Sequence, residues 1–421
     1  MENAKVIKLI GKALGVDKER TLEVLNTFCI RDSKITLTNL HTTVTLATRE
    51  SGSGPGIINF KLFDKSGDIN VSKTDIPLSD FPGFPELKEW DKTGEINPDI
   101  INDTDLSIYK QTVSTDATRA CLQGVSISEK GICSTDGHRA VYNKSLTADC
   151  DVILSTECIG VIEILKSAGE MFKKVSIFAN KYIYLESTYS AVISRLIEGP
   201  YPDWHKIIPK KICSSVEVEG EMQWVERPLK KSAVSCENIQ IIKNSLRKIL
   251  PFVCPGTKNE KTYRVIFYND LIVAKNTETA KHVKIKLPFQ VFDQPMSFSC
   301  KYLIGILDNI KTDCIIQYGT GISAVMFNDT FLIMPLRVIV EDGEPEQWNE
   351  YTDLGLPAIK TAFKKAELSA YYLFSLQSLF GITKDKNRPG VVKQLSETEY
   401  KTLTKLGVSV VTEMETADEL I

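Results

Sequence analysis

No run in this sequence approaches the roughly 20 consecutive apolar residues that a bilayer-spanning helix needs, so nothing marks it as membrane-embedded. Met1–Lys5 lead into a Lys-rich amphipathic segment without the apolar stretch of a signal peptide. The ten cysteines include no Cys-x-x-Cys pair, and the four histidines have no ligand spacing. That argues against a zinc site or disulfide framework, and for reduced thiols in the cytoplasm. No nucleotide loop, nucleophile elbow or metal set is present. Ser51–Gly56 is glycine-rich but lacks phosphate-loop spacing, and reads as a flexible hairpin loop. A basic excess is missing too, with a net charge of −3. A nucleic-acid binder of this composition would have to gather its lysines on one face.

At 421 residues the chain is long enough for two to four domains, each with its own core, and 43% hydrophobic with 25% charged residues is ordinary for a globular protein. Apolar spacing predicts a first helix over Ala4–Leu14, with Val6, Leu9, Ile10 and Ala13 on one stripe and Lys5, Lys8 and Lys12 on another. Strands are expected at Thr21–Ile30, Lys34–Leu37, Thr42–Thr48 and Ile57–Phe63, with no second helix between residues 41 and 90. A second unit opens near Asn97 with a helix over Asp103–Ser114. It continues with strands at Leu122–Ser128 and Gly131–Ser134, a helix over Glu157–Ser167, and strands at Lys174–Phe178 and Tyr182–Ser187. The third unit repeats this order, with helices over Cys236–Leu250 and Lys301–Ile310 and a last strand over Phe331–Val338. Lys243 and Arg247 share a polar stripe of its first helix. Boundaries fall at residues 1–96, 97–210, 211–338 and 339–421.

Three motifs stand out within this frame. Ser134-Thr135-Asp136-Gly137-His138-Arg139-Ala140 forms a turn. Arg195-Leu196-Ile197-Glu198-Gly199-Pro200-Tyr201-Pro202-Asp203-Trp204-His205-Lys206-Ile207-Ile208-Pro209 is a connector too apolar for a free linker, and reads as a segment packed on a neighbouring surface. Ile333-Met334-Pro335-Leu336-Arg337-Val338 ends the repeated region. Together, in this order, they resemble the bacterial DNA sliding clamp, the processivity ring of the replicative polymerase.

The resemblance covers Asn97–Val338 well and Met1–Trp90 more loosely. It implies an α+β fold of repeated DNA-clamp domains, with antiparallel sheets outside and helices lining a central hole, assembled as a homodimer ring around duplex DNA of any sequence. It implies DNA polymerase and clamp loader as partners, docking through short linear motifs such as Gln-Leu-x-Leu-Phe, with no cofactor, no metal, no membrane and no catalysis. Residue by residue, the family's partner groove falls on Leu122, Thr135, Gly137, His138, Arg139, Pro202, Ile207, Met334, Pro335, Leu336 and Arg337. Lys5, Lys8, Lys12, Lys243 and Arg247 are the expected DNA-facing cations, although solvated surface lysines account for the same pattern. The alternative is a monomeric clamp-like adaptor that binds partners without encircling DNA.

Departures are visible. The first domain looks abbreviated, Arg119-Ala120-Cys121 stands where the family has an aromatic site for DNA, and Ala140 replaces a larger apolar residue, which implies a wider groove. The chain also continues past Val338. Glu341–Glu346 is an acidic linker, Pro357–Phe380 reads as a helix, Ser396 and Glu399 as a capping box and Val408–Val411 as a short strand. Ser375-Leu376-Gln377-Ser378-Leu379-Phe380 loosely resembles a clamp-binding peptide. One expectation is therefore that the tail competes for the groove; the plainer one is that these residues pack within the appendage.

Overall fold

A computed structural model describes residues 3–336 apart from 19, 48–54, 67–71, 84–85, 219–220, 254–262, 276–281 and 322. The tail elements expected beyond 336, with Arg337 and Val338, lie outside the described residues. Helix α1 (Asn3–Ala13) precedes strands β1 (Thr27–Arg31), β2 (Lys34–Thr38), β3 (Thr42–Ala47) and β4 (Gly56–Asn59). A tight helical turn at Glu23–Asn26 stands where the start of the first strand was expected. Helix α2 (Phe60–Ser66) then corrects the expectation of a strand over Ile57–Phe63 and of no second helix before residue 90. Asn59 ends the strand, its Oδ1 accepting from the Leu62 N–H at 3.1 Å as helix caps do. Phe60 and Phe63 then share one buried face, and Phe63 meets Phe28 edge-on at 5.1 Å. Gly11 of α1 is what admits Phe60, since a Cβ there would lie 1.9 Å from the ring.

In the second unit the helix expected over Asp103–Ser114 is shortened to α4 (Leu106–Lys110), and another short helix, α3 (Pro98–Asn102), precedes it. Each has its own cap, Asn97 accepting from the Asp99 N–H and Asp105 from the Ser107 N–H, so the chain restarts instead of continuing. Around them lie β5 (Lys92–Glu95), β6 (Gly124–Ser128), β7 (Gly131–Thr135), β8 (Arg139–Asn143), β9 (Val152–Ser155), α5 (Thr156–Ser167), β10 (Lys174–Phe178), β11 (Tyr182–Glu186) and β12 (Ser190–Arg195). The third unit comprises β13 (Lys211–Val218), β14 (Glu221–Pro228), β15 (Lys230–Val234), α6 (Cys236–Val253), β16 (Arg264–Tyr268), β17 (Leu271–Lys275), β18 (His282–Lys286), β19 (Met296–Ser299), α7 (Cys300–Leu307), β20 (Cys314–Tyr318), β21 (Val325–Phe327) and β22 (Phe331–Ile333).

The topology follows one rule. Each complete unit contributes a first strand set before its second helix and another set after it. The first set of one unit joins the second set of the next in a single eight-stranded sheet. The orders are β4-β1-β2-β3-β12-β11-β10-β5 and β15-β20-β21-β22-β8-β7-β6-β9. The seams are β3 on β12 and β8 on β22, both antiparallel. The set β18-β17-β16-β19 is left as a sheet of four. Helix α1 packs on α5 and α6 on α7. Ile239, Ile242, Leu246 and Ile249, at 3.6-residue spacing, are all buried along α6. One hydrophobic core runs from Val6 to Ile333 through all three units. Each fully buried Ile or Leu in it contributes about 1.5–3 kcal/mol.

Candidate functional site

The seam between the second and third units collects most of the residues singled out in the sequence. The β7–β8 turn holds itself in shape. Thr135 Oγ1 donates to the Arg139 carbonyl at 2.7 Å and accepts from the Gly137 N–H at 3.0 Å. Asp136 Oδ1 accepts from the N–H groups of His138 and Arg139. Gly137 has φ +86°, so the turn requires glycine there. This closed set of bonds aims two side chains across the seam. The Arg139 guanidinium donates to Asp136 Oδ2 at 3.0 Å and to the Gln111 carbonyl at 2.8 Å, and lies 4.6 Å over the ring of Tyr302 on α7. His138 stacks on the same ring at 5.9 Å. Gly305 on α7 leaves the room Arg139 occupies, because a Cβ there would sit 2.8 Å from Nη1.

The connector braces the other side. Trp204 is only 4% exposed and lies in a buried cluster with Cys133, Ala140, Tyr142, Ile208, Ala324, Met326 and Leu332, drawn from both units. Its ring is 5.3 Å from that of Tyr142. Tyr142 in turn donates to Asp329 Oδ1 at 2.8 Å, and Lys144 Nζ reaches the same carboxylate at 3.0 Å. Burial first, and the bond to Asp329 second, push the Tyr142 phenol far above its ordinary pKa, so it stays a neutral donor. Ala140 is buried in this cluster.

Between these braces the chain leaves apolar surface uncovered. Met334 is 39% and Ile207 45% exposed, unusual for residues flanking so dense a joint. The Met334 N–H donates to the His138 carbonyl at 2.8 Å, tying the last strand to the turn. Leu122 is buried behind the turn, its carbonyl accepting from Ser114, and Pro202 is exposed on the connector. Pro335 is half-buried. Leu336 turns away to the four-stranded sheet, its N–H donating to the Ser297 carbonyl at 2.7 Å. A cavity of about 330 Å³ opens where the connector leaves, lined by Lys144, His205, Ile208, Leu229, Met326 and Asp329 among others. A second, of about 390 Å³, lies under the connector against β6 and β9 of the second unit alone. Tyr302 and Gly305 are the parts that sequence reasoning missed. A tyrosine one turn into an apolar helix carries no signal that its ring faces another unit.

The expected DNA-facing cations are dispersed and partly neutralised. Lys5 and Lys12 are exposed on α1, Lys12 pairing with Asp64 at 3.1 Å, while the half-buried Lys8 donates to the Asp64 carbonyl at 2.6 Å. Arg247 binds Asp308 at 2.7 Å. Lys243 corrects the expectation of a solvent-facing stripe. It is 5% exposed and sits 3.6 Å from Asp308, because the α6–α7 contact covers that face.

Comparison with known proteins agrees with this architecture. No family model matches the chain. It is 25% identical over 335 residues to the beta sliding clamp of Rickettsia bellii, spanning 73% of this chain and 78% of that one. It is 24% identical over 306 residues to that of Salmonella typhimurium, spanning 66% and 74%. The solved sliding clamp (DNA polymerase III subunit beta) of Bartonella birtlesii superposes with a TM-score of 0.60 at 16% identity, over 80% of this chain and 99% of that one. This is the sliding-clamp fold. The α+β class and the likeness to bacterial beta clamps expected from the three motifs both hold. In this clamp-fold chain the turn, connector and terminal strand all converge on one joint, which is why they are recognisable together. No helix among the described residues is long and apolar enough to cross a membrane.

Proposed function

We propose that this chain is a non-catalytic clamp that tethers a DNA polymerase and other replication proteins to duplex DNA by receiving their linear motifs at the second joint. One observation carries this reading: exposed Met334, whose N–H donates to the His138 carbonyl, lies beside a polar rim of His138 and Arg139 that is braced by Tyr302 and Asp136. Apolar anchors entering a pre-organised apolar slot with a charged rim is the usual physics of peptide docking. Lys5 and Lys12 on α1 and Arg247 on α6 supply sequence-independent phosphate contacts. The test is to titrate a labelled Gln-Leu-Ser-Leu-Phe peptide into the full chain. Saturable binding that Met334→Ala weakens supports the slot; equal affinity of the two proteins rejects it.

A second reading, the adaptor that binds partners without encircling DNA, is favoured by the first unit. Unit two follows α5 with β10–β12, and unit three follows α7 with β20–β22. After α2 the described residues of unit one instead place Ser72–Thr74 along β4, with Asn59 N–H on the Ser72 carbonyl and Thr74 N–H on the Ile57 carbonyl, and then run on in short turns. By the joining rule, a two-copy ring needs a second strand set in unit one to meet the four-stranded sheet of unit three. Among the described residues that set is missing. Light scattering of the full chain separates the readings, a ring predicting twice the 47.1 kDa chain mass. Retention on circular but not linearised DNA after loading then tests encirclement.

A further inference from the structure

One row of side chains crosses the outer face of the second seam. Its pairings are Lys231↔Gln317, Gln317↔Met326, Met326↔Leu332 and Leu332↔Ala140, on β15, β20, β21, β22 and β8 in turn. Residues directly opposite one another share a face of the sheet. At the inner end Trp204 packs with Ala140, Leu332 and Met326. Beyond Met326 the same row enters the cavity of about 330 Å³, where Gln317, Ile208 and Leu229 join it. Met326 and Ile208 are buried and Leu229 packs half-buried on the same cluster, so the floor is apolar. The rim is basic. Lys144 and Lys210 line it, Lys231 stands opposite Gln317, and all three are exposed. The carboxylate among the lining residues, Asp329, is already held by the Tyr142 hydroxyl and Lys144 Nζ. His205 lines the cavity too, its Nδ1 buried with no hydrogen-bond partner among the described residues.

Floor and rim together select the occupant: a large apolar group flanked by carboxylates. This chain carries such a segment. Glu341, Asp342, Glu344, Glu346, Glu350 and Asp353 surround Trp348, with no basic residue between them. Gly343 and Pro345 suit it to docking through side chains instead of pairing as a strand. Its reach is sufficient. Asp329 precedes Leu336 by seven residues and so lies within about 25 Å of it, whereas the twelve residues from Leu336 to Trp348 extend to about 40 Å. A separate acidic protein offers the same chemistry, but a segment tethered a dozen residues away is present at a far higher effective concentration.

We propose that residues 341–350 of the same chain dock across this cavity as a strap over the outer face of the second joint. Trp348 rests on Ile208 and Met326, with Glu344 and Glu346 against Lys144, Lys210 and Lys231. The test is NMR of the full chain labelled at its methionine methyl groups, with the Met326 signal assigned from Met326→Leu. A through-space cross-peak between the Met326 methyl and the Trp348 indole is expected, and Trp348→Ala should remove it while leaving the exposed Met171 methyl unmoved. Lys210→Glu/Lys231→Glu should also remove it, and adding Glu344→Lys/Glu346→Lys to that variant should restore it. The cross-peak should not depend on chain concentration. Its absence from the native chain overturns the proposal, as does its survival in Lys210→Glu/Lys231→Glu. Loss on dilution overturns it as well, by placing the tail of a second copy in the cavity.

Discussion

The two seams of this molecule solve the same problem differently. At the first, five residue pairs from Ser190↔Leu46 to Ser194↔Thr42 zip β12 onto β3. Further main-chain bonds continue at both ends, Ala47 N–H to the Tyr189 carbonyl and Arg195 N–H to the His41 carbonyl. No aromatic side chain is among its paired residues, and Thr42 and Ser194 share a buried hydroxyl bond of 2.8 Å. At the second, only Phe331, Leu332 and Ile333 pair with β8. One main-chain bond continues at each end, Met334 N–H to the His138 carbonyl and Tyr142 N–H to the Thr330 carbonyl. Large side chains fill the rest of that joint: Trp204, Arg139 with Tyr302, and Tyr142 and Lys144 with Asp329. A seam of main chain is closed along its length. Beside the seam of large side chains, Met334 and Ile207 are left exposed.

The comparison predicts unequal costs. Trp204→Ala should destabilise the chain by about 3–5 kcal/mol, because the indole fills a buried volume shared by two units. Thr42→Val at the first seam should cost only about 1–3 kcal/mol, from leaving the Ser194 hydroxyl without its partner. Urea unfolding of both variants measures this directly. If Thr42→Val is the costlier, the second seam does not depend on its side chains as described.

Next in size is Arg139. Its charged hydrogen bonds to Asp136 and Gln111, with the ring of Tyr302 below, make Arg139→Ala about 1.5–3 kcal/mol less stable. Arg139→Lys should recover little of that, since an ammonium cannot hold two acceptors in a planar fork. Thermal unfolding at one buffer composition checks the order native, Lys, Ala. A lysine variant as stable as the native chain would show that the guanidinium geometry is immaterial. Met334→Ala is smaller still in stability, within about 0.5 kcal/mol for a residue this exposed. It should nevertheless weaken peptide binding by about tenfold, or about 1.4 kcal/mol. Loss of stability without loss of affinity would assign Met334 to the seam and not to the slot.

How much of this was written in the sequence depends on the range of the interaction. The helices α1, α5 and α6 and the buried stripe of α6 were legible because apolar spacing is local, but on α1 Leu9 is exposed and Ile7 and Leu14 join Val6 and Ile10 on the buried face. So was the turn at Thr135–Arg139, which is bonded largely within itself. The α2 helix was missed because Ile58, Phe60 and Leu62 alternate with Asn59 and Lys61 as in a strand, and the deciding event is the cap at Asn59. Lys243 looked solvated because a lysine on a helix surface is read against water, and only α7 supplies the Asp308 that meets it. Tyr302 and Gly305 were invisible for a related reason. Their meaning comes from an arginine more than 150 positions away in the chain.

The smallest effect sharpens the comparison at the mouth of the second seam. His205 sits against Trp204, with ring centroids 3.8 Å apart, and its Nδ1 is buried without a hydrogen-bond partner. Burial lowers its pKa below the ordinary 6.5, outweighing the attraction of Asp203, and Lys130, Lys144 and Lys210 push the same way. A histidine whose folded pKa is depressed binds protons more weakly folded than unfolded. Its stabilising contribution is therefore complete above pH 6.5 and declines as the pH falls from 6.5 towards the folded value, where it levels off. Stability measured by urea unfolding across pH 5 to 7 should thus fall more gently on acidification in His205→Gln than in the native chain. Parallel curves would mean that the imidazole is as well solvated in the joint as in the unfolded chain, and that the connector lies more loosely on Trp204's side of the seam than its packing indicates.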